Sequence, residues 1–132
     1  MISLTTAETI LVVDDREAVC EVIEVILGCA GYRVLTATNG TDALQLAQET
    51  PQIDLLVSEI EMPDMRGEEL AACVTTFHPS ARVIFVSSLT GPIESAEPFE
   101  FIAKPFTVSD LRNTVRRALR TGLAFAKTSC AA

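Results

Sequence analysis

Four places along this chain set a chemically capable side chain directly behind a short apolar run. Asp14 and Asp15 follow Ile10-Leu11-Val12-Val13, Glu59 follows Leu55-Leu56-Val57-Ser58, Ser87 follows Val83-Ile84-Phe85-Val86, and Lys104 follows Phe101-Ile102-Ala103. Three carboxylates brought together repel, and each disfavours ionisation of its neighbours. A hard divalent cation relieves that crowding. Magnesium takes a few carboxylate oxygens, keeps several waters and leaves room for a phosphoryl group. A lysine supplies a fixed positive charge for phosphoryl oxygens, and a serine hydroxyl donates a hydrogen bond to another of them. The set reads as a site for phosphoryl transfer to a carboxylate. Taken singly, each residue has a plainer reading: the aspartates end a strand and cap a helix, Ser87 is a loop serine, and Lys104 is a solvated surface lysine. Their shared position behind four separate runs favours one common cleft.

For these side chains to meet, the runs must be neighbouring strands. Ile10–Val13 reads as a strand buried on both faces. Arg16–Ala30 carries Val19, Val22, Ile23, Ile26 and Leu27 at helical spacing, with Gly31 as its stop. Tyr32–Ala37 is a second strand. Asn39-Gly40 is a turn signal, and Asp42–Glu49 is a helix closed by Pro51. Asp54–Ser58, Arg82–Ser87 and Phe99–Ala103 are further strands. Gly67–Thr76 and Val108–Leu119 are helices. Alternation of this kind predicts a parallel sheet with helices on both faces and right-handed crossovers. In such sheets the functional site lies at the carboxyl ends of the strands, where the candidate residues fall.

Composition narrows the classes. A chain of 132 residues, 48% of them hydrophobic, suits one domain with a real core. A net charge of −8 argues against nucleic acid as a direct partner and suits a cation or a basic surface. No apolar run approaches membrane-spanning length, and the first eight residues do not resemble a signal peptide. Cys20, Cys29, Cys73 and Cys130 form no CxxC pair, and His78 is the lone histidine. A zinc site is therefore excluded, and the cysteines read as small helix or core residues in a reducing cytosol. The expected organisation is a leader over 1–8, one domain over 9–122 and a flexible tail over 123–132, in a cytoplasmic protein.

Several of these stretches together resemble response-regulator receiver domains of bacterial two-component systems. Ile10–Asp15 is similar to the opening of that family. Asp54–Gly67, with Met62-Pro63-Asp64-Met65-Arg66-Gly67 inside it, is similar to its phosphorylation-site segment. Val83–Ser87 resembles the strand that ends in the switch hydroxyl. Phe101–Phe106 resembles the lysine–proline signature. The resemblance covers about residues 9 to 120. It implies a flavodoxin-like, doubly wound sheet of five parallel strands in the order 2-1-3-4-5 and a signalling module rather than an enzyme. It implies a magnesium ion held by Asp14, Asp15, Glu59 and the backbone carbonyl of Glu61. Ser87 and Lys104 would grip the phosphoryl group, Ser87 and Phe101 would form the switch, and Pro105 would follow a cis peptide bond. A sensor histidine kinase or phosphotransfer protein is the implied partner.

Two departures from that pattern bear on function. Glu59 stands where the family places its acceptor aspartate, four residues before Pro63. The extra methylene adds about 1.5 Å of reach, and a misplaced nucleophile can lose about 10²-fold in rate. Glu59 therefore reads as an engineered phosphomimic or as the mark of a natural receiver that does not use ordinary phosphorylation. The stretch between Ser87 and Lys104 is several residues shorter than in the family, and Gly91, Pro92 and Pro98 interrupt it. A fourth helix there is expected to be short or absent. Two other functions stay open: a pure interaction module with a relic cleft, and a small magnesium-dependent phosphohydrolase. The basic run Arg112, Arg116, Arg117 and Arg120 reads as a solvated helix face, or as a surface for an acidic partner or for a second copy in a homodimer.

Overall fold

The computed structural model describes residues 7–88 and 100–131, with side chains up to residue 120. The first strand, β1 (Thr9–Val13), is buried throughout, and its side chains alternate between two cores. Ile10 and Val12 point to one core, with Cys20, Ile23 and Leu27 from helix α1 (Glu17–Cys29). Leu11 and Val13 point to the other, with Ala43 and Ala47 from helix α2 (Gly40–Glu49). Near-continuous apolar runs are what a strand covered on both faces requires.

The remaining elements are β2 (Arg33–Ala37), β3 (Leu55–Glu59), α3 (Gly67–Phe77), β4 (Arg82–Ser87), β5 (Glu100–Ala103) and α4 (Val108–Ala131). The five strands are ordered β2-β1-β3-β4-β5, and every neighbouring pair is parallel. Helix α4 joins α1 on one face through Leu111, Val115 and Ala118. Helix α3 joins α2 on the other through Leu70, Ala71 and Val74. The expected sheet order and two-faced helix cover are therefore both present.

Several boundaries differ from the sequence reading. Asn39 is not half of a chain-reversing turn. Its side-chain oxygen accepts from the Asp42 backbone N–H at 2.8 Å, so it caps α2, which begins at Gly40. Strand β3 runs one residue further than Ser58, which brings Glu59 into the sheet opposite Val86. Helix α4 does not close at Leu119 but continues to Ala131, into the stretch expected as a tail. A single Gly122 costs a helix only about 1 kcal/mol, and alanines follow it. The stop at Gly31 is as expected: it adopts a positive φ of 101°, and its N–H returns to the Gly28 carbonyl at 3.0 Å. The expectation of a short or absent fourth helix concerns residues 90–97, which lie outside the described residues.

Candidate functional site

Parallel register brings the ends of four strands to one edge of the sheet. Val13 lies beside Ser58, Glu59 beside Val86, and Ser87 beside Ala103. Asp14 and Lys104, one residue beyond their strands, are thereby carried to the same edge as Glu59. The Lys104 ammonium donates to Asp14 Oδ2 at 2.7 Å and to Glu59 Oε1 at 2.8 Å. Both carboxylates are buried, at 2% and 7% exposure. The Lys104–Pro105 peptide bond is cis, as the resemblance implied.

The outer oxygens are also engaged. Asp14 Oδ1 accepts from the Arg16 N–H at 2.9 Å. Glu59 Oε2 accepts from the N–H groups of Ile60 at 2.8 Å and Glu61 at 3.3 Å. Beside this triad opens a cleft of about 340 Å³ lined by Asp15, Glu59, Glu61, Pro63, Ser88 and Lys104, among others. Asp15 is exposed there. Ser87, the expected hydroxyl, is buried at 1% exposure and is not among the lining residues, whereas its neighbour Ser88 is. Phe101 is partly buried against the core on the α2 and α3 side.

The contacts made by three supporting residues escaped the sequence reading. Asp64 reaches across from the loop after β3 and accepts from the N–H groups of Gly40 at 3.0 Å and Thr41 at 2.9 Å. It fixes that loop to the start of α2, and these N–H bonds hold its carboxyl below the ordinary aspartate value. Gly67 donates its N–H to the Ile60 carbonyl at 2.7 Å, and a Cβ there would collide with the Glu59 carbonyl oxygen. Cys20 donates its thiol to the carbonyls of Asp14 at 3.4 Å and Ala37 at 3.5 Å. Burial pushes that thiol up to about 11, which keeps it protonated as a donor.

The electrostatics of the triad follow from its geometry. Burial works to raise the Glu59 carboxyl, but the hydrogen bond and charge of Lys104, helped by the Glu61 and Ile60 N–H groups, outweigh it and hold the group below the ordinary glutamate value. Burial works to lower the Lys104 ammonium, but its bonds to Asp14 and Glu59 outweigh that and hold it above the ordinary lysine value. Both partners are therefore charged at neutral pH. Hard oxygen donors of this kind suit magnesium chemically. Their arrangement does not, because the ammonium holds the two inner carboxylates. Among the described residues no group of three or more Asp, Glu, His or Cys is gathered so as to hold a metal.

A profile of the response regulator receiver domain matches residues 10–116. This chain belongs to the response regulator receiver domain family. The receiver is 30% identical over 115 residues to the response regulator receiver protein CpdR of Brucella abortus, spanning 83% of this chain and 95% of that one. It is 32% identical over 122 residues to the sensor kinase CckA of the same organism, spanning 88% of this chain but only 13% of the kinase. The solved receiver domain of the hybrid histidine kinase CckA superposes with a TM-score of 0.74 at 33% identity, covering 84% of this chain and 98% of that domain. The signal receiver domain of an HD domain-containing protein from Pseudomonas fluorescens Pf-5 superposes with a TM-score of 0.82 at 25% identity, covering 96% and 97%. Receiver domains are phospho-acceptor modules of two-component signalling that typically bind magnesium for phosphorylation. Among the described residues of this receiver, no helix is long and apolar enough to cross a membrane.

Proposed function

We propose that this receiver carries a standing carboxylate, Glu59, at its phospho-acceptor position, and that its signalling state is set without phosphorylation of that residue. The observation that supports this most is the 2.8 Å contact between Glu59 Oε1 and Lys104. The longer side chain delivers negative charge to the ammonium that would otherwise grip a phosphoryl group. The mimicry is partial, because a carboxylate has fewer oxygens and less charge than a phosphoryl group, and it shifts a population only by its differential contact with the two states.

The partner is a sensor histidine kinase or phosphotransfer protein. Next to the triad, Arg16, Ala18, Val19, Val22, Pro105 and Phe106 line a shallow apolar hollow. Val22 and Val25 extend it along α1 with 53% and 64% exposure. An exposed apolar strip of this kind suits docking of a partner helix. Comparison of the wild-type chain with Glu59→Gln by NMR tests the proposed switch. The resonances of Ser87 and Phe101 are expected to shift beyond the neighbourhood of the substitution. Identical shifts at both residues would show that Glu59 does not act as a phosphate mimic.

A further inference from the structure

The carboxylate crowding that calls for a metal is already answered within the chain. We infer that Lys104 is the resident cation of this cleft, and that magnesium binds the wild-type receiver much more weakly than it binds a chain lacking that ammonium.

Four observations carry the inference. The ammonium stands between the two buried carboxylates, 2.7 Å from one and 2.8 Å from the other. All four oxygens of Asp14 and Glu59 have partners: two on Lys104 and two on backbone N–H groups. The length of Glu59 matters here, because one side chain spans from the Ile60 N–H to Lys104. Among the described residues of the cleft, the exposed Asp15 and Glu61 are what remains for a metal, with a positive charge beside them.

Magnesium demands near-ideal octahedral geometry and dehydrates reluctantly. To recruit Asp14 or Glu59 it must displace an ammonium that is tethered to the same fold. A tethered group competes at an effective concentration set by its tether, on the order of millimolar or above. Free magnesium at millimolar concentration gains no advantage over it. The inference uses the receiver reading of the cleft only to say why magnesium would matter. The test below reads metal binding alone, so its failure is distinct from failure of the proposed signalling role.

Calorimetric titration of the full chain with magnesium chloride at constant ionic strength tests the inference, using wild type, Lys104→Met and the double variant Lys104→Met with Asp15→Asn. Lys104→Met is expected to bind magnesium at least about tenfold more tightly than wild type, and the double variant is expected to lose that gain. An affinity in Lys104→Met no tighter than in wild type overturns the inference. A second measurement needs no variant. The Nζ resonance of Lys104 in the wild-type chain is expected to stay in place as magnesium is raised to millimolar levels. Its displacement at that concentration overturns the inference even if Lys104→Met does not fold.

Discussion

Lys104→Met is expected to lower the unfolding free energy by about 3 to 5 kcal/mol near neutral pH, the largest effect of any single change in the cleft. Methionine keeps most of the apolar stem but removes the charge that Asp14 and Glu59 share. Two buried carboxylates are then left facing each other, and only the N–H groups of Arg16, Ile60 and Glu61 offset them. The pH dependence has a defined sign. Glu59 is depressed in the folded protein, so its contribution is present above the unfolded glutamate value and is lost as pH falls through the folded one. Lys104 is raised, so its contribution is present below the unfolded lysine value and is lost as pH rises through the folded one. The triad therefore stabilises the wild type most between about pH 4.5 and about pH 10.5. Urea denaturation of both proteins near pH 7 and near pH 4 checks this, and the difference should shrink at the lower value. A loss below about 1 kcal/mol at both would class the triad with ordinary surface ion pairs.

Gly67→Ala is expected to cost about 2 to 3 kcal/mol and to disturb the triad from behind. The added Cβ meets backbone, the Glu59 carbonyl oxygen and Ile60 Cα, neither of which can step aside without moving β3. That same backbone supplies the N–H groups that hold Glu59 Oε2. The amide resonances of Ile60 and Glu61 should therefore shift along with the loss of stability. Gly40→Ala is the natural comparison, because the atoms in its way belong to the flexible Met65 side chain. Equal losses at the two glycines, with Ile60 and Glu61 unmoved, would contradict this account of the loop.

Much of the fold was legible because the central strands β1, β3 and β4 are buried on both faces and the helices carry an apolar stripe. The run Ile10–Val13 and the spacing Val19, Ile23, Leu27 admit few other readings. Asp14, Glu59 and Lys104 were legible for a topological reason: parallel strands deliver their carboxyl ends to one edge, whatever the details of packing. Which oxygens the ammonium takes was not legible, since spacing shows only that three charges meet. Adjacent hydroxyls posed the same difficulty. Ser87 stays within β4 and is buried, while Ser88 leaves the strand and reaches the cleft. Asp64 and Gly67 act through Gly40 and Ile60 in other elements, and contacts of that kind leave no periodic signal. The length of α4 was underestimated because the Ala-rich end beyond Leu119 was read as a loose tail.

The proposed role of Glu59 is to set the state of this receiver without being phosphorylated. The most direct measurement is the intact mass of the full chain after incubation with a small phosphodonor and magnesium, alongside Glu59→Asp. Restoring the shorter side chain should return the nucleophile to its usual reach, so the variant is expected to gain one phosphoryl group while the wild-type mass stays unchanged. A phosphoryl adduct on the wild-type chain, mapped to Glu59, would contradict the account.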